Sequence, residues 1–193
     1  PIFKVADENR KLGLLPLEQI VEYNSKHPYG WNNGSLLRSK GVQTLTRLGF
    51  WFKYDWLEIQ YQPEIVYSEQ AEYMGFPSEY DAAVWRDRYI NWAQIDLPEV
   101  WSRKNPVEFL PGQTQVNLSI GGVALGYSNR NFWMGPGIHQ SLLMTNNARA
   151  LSRVYIETEK PLNLGFAEIY LLVFGGIGKP STELMPGYVN GIR

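Results

Sequence analysis

The chain has 193 residues, enough for one domain, and a formal net charge of −1. That balance offers no basic excess for nucleic acid, and the absence of cysteine excludes disulfide frameworks, cysteine metal sites and thiol nucleophiles. No apolar run approaches the roughly eighteen residues of a membrane-spanning helix, whereas barrel strands alternate and never look hydrophobic overall.

In chain order, period-two alternation predicts seven strands, near residues 12–22, 42–54, 56–67, 113–120, 122–130, 151–160 and 162–175. Leu48, Phe50, Phe52 and Tyr54 form the apolar side of the second. Leu57, Ile59 and Tyr61 alternate with Glu58, Gln60 and Gln62 in the third. In the fourth, Thr114, Val116, Leu118 and Ile120 alternate with Gln113, Gln115, Asn117 and Ser119. Phe166, Tyr170, Leu172 and Phe174 share one parity of the last.

The connections alternate as well. Asp55-Trp56, Gly121-Gly122 and Pro161-Leu162-Asn163 predict tight turns, and about 24–41, 68–112, 131–150 and 176 onward predict long loops. Short turns at one end and long loops at the other are the asymmetry of an outer-membrane barrel. On that topology the N-terminus is periplasmic, the first strand runs outward and every long loop faces outside. Ser78-Glu79-Tyr80-Asp81 reads as a helix start, so a short helix is expected from Asp81 to Gln94 in the longest loop. The fold class expected is therefore all-β, a single domain over 1–193, forming an antiparallel up-and-down transmembrane β-barrel. Seven strands leave it incomplete, because an open edge in lipid strands unpaired backbone groups. The remaining strands of the same barrel are expected to close it.

Catalytic chemistry finds little support, and neither an enzyme nor a cofactor is expected. His27 and His139 lie in separate predicted loops without zinc spacing. No Gly-x-Ser-x-Gly elbow occurs. Gly175-Gly176-Ile177-Gly178-Lys179 fails as a phosphate loop because its glycine spacing is wrong and Pro180 follows the lysine. Glu58, Glu64, Glu157, Glu159 and Glu168 could supply a glycosidase pair, or they could line a hydrated wall.

The chain holds seven Trp, twelve Tyr and eight Phe. Trp31, Trp85, Trp92, Trp101 and Trp133 all fall in predicted outer segments, and Arg86, Arg88 and Tyr89 stand beside Trp85. Flat rings suit the apolar side of a sugar, and guanidinium groups suit its carboxylates. The candidate glycan-binding residues are thus Trp31, Trp85, Arg86, Arg88, Tyr89, Trp92 and Trp133. The competing reading is that these side chains pack the loops or girdle the barrel.

Five stretches carry a family resemblance. Tyr23-Asn24-Ser25-Lys26-His27-Pro28-Tyr29-Gly30-Trp31-Asn32-Asn33-Gly34, continued by Gly41-Val42-Gln43-Thr44, resembles a first outer-loop signature. Ile59-Gln60-Tyr61-Gln62-Pro63-Glu64-Ile65-Val66-Tyr67 resembles a Gln-x-x-Pro-Glu strand, and Ile95-Asp96-Leu97-Pro98-Glu99 follows. Asn131-Phe132-Trp133-Met134-Gly135-Pro136-Gly137-Ile138 and Ser141-Leu142-Leu143-Met144-Thr145-Asn146-Asn147-Ala148 are the most distinctive. In order and in register, they resemble the Wzi capsule-assembly family of Bacteroidetes. A second tryptophan is common in the family where Met134 stands.

The resemblance implies the N-terminal part of an outer-membrane barrel with helical structure closing its pore. It also implies a lectin-like role, holding capsular or exopolysaccharide at the cell surface, with outer-membrane lipid as the other partner. A porin or transporter barrel suits the polar strand faces equally well, and a soluble β-sandwich carbohydrate-binding domain is the third reading.

Overall fold

Two long strands anchor the sheet. β2 (Arg10–Asn24) and β3 (Gly41–Tyr54) pair antiparallel from Arg10↔Tyr54 to Asn24↔Gly41. The computed structural model describes residues 3–6, 10–77, 79–92, 106–135, 137–139 and 141–178. β4 (Leu57–Tyr61) and β5 (Glu64–Ser68) continue along β3, and β6 (Val107–Leu110) and β7 (Gln115–Ile120) run back along β5 and β4. β8 (Val123–Ser128) and β9 (Arg153–Thr158) extend the meander. β1 (Phe3–Ala6) forms one edge against β2, and β12 (Leu172–Gly176) forms the other against β9. The chain is thus mostly antiparallel sheet, and the sheet is not closed among the described residues.

Tight turns form where the backbone permits them. Gly121 and Gly122 both have positive φ (60° and 84°), matching the strand twist of a two-residue hairpin. Asp55 also takes positive φ (43°), which an aspartate tolerates. α1 (Ala82–Trp92) starts where expected, with Asp81 as its cap. The Asp81 carboxylate accepts from the backbone N–H groups of Ala83 and Val84, both at 3.0 Å.

Three strand readings need correction. Two short strands were missed, β1 and β6. Because β1 runs against β2, the chain enters the sheet one strand before the expected first, and Phe3 lies level with Leu14. The seventh strand is not continuous. Leu162–Asn163 (β10) and Glu168–Ile169 (β11) close a small hairpin of their own, so Pro161-Leu162-Asn163 is not a tight turn to the edge strand. The Asn163 side chain accepts from Gly165 N–H at 2.7 Å, and Gly165 has φ of 85°; this local turn wins over extension. The Ile95–Glu99 stretch, Trp101, Lys179 and the last residues lie outside the described residues.

Prolines interrupt three strands at one level. Pro16 and Leu17 bulge opposite Leu48, since Leu15 pairs Gly49 and Glu18 pairs Arg47. Pro63, which has no N–H to donate, breaks the ladder between β4 and β5. Pro111 opens the gap between β6 and β7, where Gln113 N–H reaches Gln62 O at 2.9 Å. Gly49 sits at the same level because a Cβ there would lie 2.1 Å from Tyr61 O.

The two faces of the sheet are unlike each other. By register, Leu14, Phe50, Tyr61, Ile65, Phe109, Val123, Leu125, Tyr127 and Ile156 share one face, and all are exposed. The opposite face carries Glu22, Gln43, Arg47, Glu58, Gln60, Glu64, Ser68, Gln115, Asn117, Arg153 and Glu157. Gln43, Glu64, Ser68, Ser128 and Arg153 of that polar face are buried. One small buried apolar cluster also lies there, where Leu36 of the 25–40 connection packs on Leu45 and Val66 beside Ile20 and Leu110.

Candidate functional site

The meander puts connections 25–40, 69–106 and 129–152 at one end of the sheet. Two of them clasp each other. Gly34 N–H donates to Asn146 O at 2.6 Å, and Arg38 Nη2 donates to Asn147 Oδ1 at 2.9 Å. Asn32 N–H reaches the same Asn147 oxygen at 3.3 Å. The first loop is also tied down to the polar face. Asn24 Nδ2 donates to Tyr29 O and Ser39 O at 2.8 and 2.9 Å, Asn33 Nδ2 donates to the Glu22 carboxylate, and Ser68 and Ser39 hydroxyls meet at 2.6 Å. Arg149 of the second loop pairs with Glu108 of β6.

Beneath the clasp is a charged cluster. Arg47 bridges Glu18 (3.2 Å) and Glu64 (3.1 Å). Gln113 Nε2 donates to Glu64 Oε1 and to Asn131 Oδ1, each at 3.1 Å, and Asn131 N–H returns a bond to Gln113 Oε1 at 3.0 Å. Asn131 Nδ2 then reaches Ala148 O at 3.0 Å. Four sequence motifs, two from the first third of the chain and two neighbouring ones from the last third, thereby converge through Asn33-Gly34, Glu64, Asn131 and Asn146-Asn147. A cavity of about 260 Å³ opens among them, lined by Asn32, Asn33, Arg47, Gln113, Asn131 and Asn146 with Glu18 and Ile20.

A larger cavity of about 410 Å³ runs along β9, lined by Arg130, Asn131, Phe132, Trp133, Arg153, Tyr155, Glu157, Gln115 and Leu172. Arg153 is buried; its Nη1 donates to Arg130 O at 2.7 Å and its guanidinium lies 4.1 Å over the Phe132 ring. Phe132 in turn meets Phe174 edge to face at 5.4 Å. Arg130 Nη1 donates to Gln115 Oε1 at 3.1 Å. Tyr155 lies against Gly126, where a Cβ would stand 2.5 Å from its ring. Its hydroxyl donates to Asn117 and accepts from Gln115 Nε2 at 2.7 Å. Glu157 at the far end accepts from the Tyr170 hydroxyl at 2.6 Å. That bond, with some burial, pushes the Tyr170 phenol up to about 12.

Of the described side chains expected to bind glycan, Trp133 is the one that lines this cavity. Its indole N–H is engaged by Gly137 O at 2.5 Å. Trp31 stands exposed on the 25–40 connection. Trp85 and Arg88 pack locally instead. Trp85 meets Phe76 edge to face at 4.9 Å, and the Arg88 guanidinium covers Phe76 at 4.4 Å. Arg86 is exposed on α1, whereas the side chains of Tyr89 and Trp92 lie outside the described residues. Among the described side chains, the structure thus does not bring Trp31, Trp85, Arg86, Arg88 and Trp133 to one place.

Sequence reading missed Arg130, Arg153, Gln115 and Tyr155. One signal was present, since Arg153, Tyr155 and Glu157 share a parity and Arg130 directly precedes the Asn131–Ile138 motif. His27 and His139 are exposed in separate connections, and the described residues contain no group of three His, Cys, Asp or Glu placed to hold a metal. Glu58 and Glu64 do share the polar face, but each has a separate partner, Lys53 at 3.4 Å and Arg47 at 3.1 Å.

No family model, no curated protein and no solved structure matches this chain.

Proposed function

We propose that the chain is the N-terminal portion of an outer-membrane β-barrel similar to the Wzi capsule-assembly family, and that it holds capsular or exopolysaccharide at the cell surface. The observation that carries this is the reversal of the two faces. Large apolar side chains cover the open face, while glutamine, glutamate, arginine and serine are buried on the other. A domain in water does the opposite, because burying apolar area is its main driving force. A transmembrane barrel requires this arrangement, with an apolar band toward lipid and a polar interior.

The other features agree with that reading. The open backbone edges of β1 and β12 are tolerable in lipid only when paired, so the remaining strands of the same barrel are the natural partner. The long connections all leave from one end, which becomes the extracellular side. There the clasped loops and the cavity at Trp133 offer an aromatic ring, amides and guanidinium groups, the inventory a sugar needs.

The test uses the full-length protein extracted in detergent. It should migrate differently on gels before and after heating, and it should retain the polysaccharide of its own cell in a pull-down. A protein that folds into a barrel yet retains no polysaccharide while a capsule is present would sink the lectin role. The porin reading rests on the same polar face. Planar-bilayer recording separates the two, because loops tied to the polar face by Asn33, Leu36 and Ser39 should keep the barrel silent.

A further inference from the structure

We propose that the cavity along β9 takes a carboxylate-bearing sugar unit, with its carboxylate on Arg130 and Arg153 and its ring against Trp133. This rests on the glycan-binding reading and narrows it to an acidic glycan.

Arg153 is a buried cation in the wall of this cavity. Its relative exposure is 8%, and among the described residues neither it nor Arg130 has a carboxylate within ion-pair distance. A buried guanidinium without an anion is a costly arrangement, since the charge loses water and gains little. The partial compensation visible is a carbonyl, Arg130 O at 2.7 Å, and the face of Phe132 at 4.1 Å. The acid on the same face of the strand, Glu157, lies beyond ion-pair distance of Arg153, with one oxygen turned to the Tyr170 hydroxyl at 2.6 Å and the other left open.

Arg130 adds a second guanidinium, and Gln115 holds it at the cavity by a 3.1 Å bond. Two guanidinium groups suit one carboxylate, which accepts several charge-assisted bonds at once. The rest of the cavity suits a ring rather than a bare anion. Its volume of about 410 Å³ lies within the roughly 300–1,000 Å³ of small-molecule sites. Trp133 supplies an aromatic wall, and Glu157 and Gln115 supply acceptors for hydroxyl groups.

The experiment titrates the full-length protein in detergent with D-glucuronate, D-glucose and inorganic phosphate, following saturation-transfer NMR. Glucuronate should bind at least about tenfold more tightly than glucose, the ratio expected when charge-assisted bonds are gained. Arg130→Gln should abolish that preference. Arg130 is exposed, so this variant should keep its heat-modifiable migration. Arg153→Gln should act likewise if it folds, and Trp133→Ala should weaken both sugars. Equal binding of glucose and glucuronate, or an unchanged preference in Arg130→Gln, overturns the proposal. So does phosphate binding as tightly as glucuronate, because the ring contacts would then contribute nothing. If wild type and Arg130→Gln retain the cell's polysaccharide equally, this inference fails while the lectin reading stands. If neither retains any, the lectin reading fails and the glucuronate titration still decides the cavity.

Discussion

Arg47 of β3 stands 3.1 Å from Glu64 of β5, and Glu64 is fully buried. Each lies at the level where prolines break the neighbouring strands, so the bulged region is held by charge where the ladder is weakest. Removing one partner leaves an uncompensated buried charge, which costs about 3–5 kcal/mol. Arg47→Ala should therefore lower the urea midpoint of the full-length protein strongly. Arg47→Met with Glu64→Leu should recover most of the loss. A double variant as unstable as Arg47→Ala would show that the pair is not the cause.

Backbone crowding at the same level gives a second expectation. A Cβ on Gly49 would stand 2.1 Å from Tyr61 O, and one on Gly112 would stand 2.3 Å from Gln62 O at a φ of 61°. Both obstacles are backbone and cannot rotate away. Gly49→Ala and Gly112→Ala should each cost at least about 1–3 kcal/mol, as overpacking does. Gly175→Ala on β12 meets nothing within 4 Å and should be close to neutral in the same unfolding assay.

The strands that sequence reading recovered are those with long alternation, such as Leu48 to Tyr54 and Gln113 to Ile120. β1 and β6 escaped because four residues carry too little periodicity to stand out, and Val107-Glu108-Phe109-Leu110 ends in two apolar neighbours. The last strand was read too long because Phe166 and Phe174 share a parity, whereas the Asn163–Gly165 turn had already reversed the chain. The site was less legible than the fold. Arg153 falls within the predicted strand 151–160, but only the register and side-chain contacts show it level with Ser128 and bonded to Arg130 O of the 129–152 connection. Trp85 shows the converse, since its ring meets Phe76 nine residues earlier, a contact that its place in the sequence does not display.

Tyr170 supplies a pH expectation. Its phenol is pushed up to about 12 by the bond to Glu157 and by burial, against about 10 for a free tyrosine. The folded chain thus holds this proton more tightly than the unfolded chain. The contribution is fully present below pH of about 10 and is lost as pH rises through about 12. A difference titration of phenolate absorbance, wild type minus Tyr170→Phe, should show a group ionising near that upper value. Glu157→Gln should bring it back toward the free value. A Tyr170 signal that already titrates like a free phenol in wild type would refute the contact.

The face reversal makes its own prediction at Leu125. This side chain is 54% exposed, on the apolar face, level with Leu118 and Ile156 of the adjoining strands. If that face meets lipid, Leu125→Arg places a charge in the bilayer and should cost about 2–4 kcal/mol near the midplane. If the face meets water, a half-exposed leucine is a surface site, and the same change should stay within about 0.5 kcal/mol. Ser119 on the polar face gives the control, because Ser119→Arg points into the wet side under the first reading and should be the milder change. Urea unfolding of the full-length protein in lipid vesicles measures both. A mild Leu125→Arg beside a severe Ser119→Arg would invert the assignment of faces, and the outer-membrane reading would fall with it.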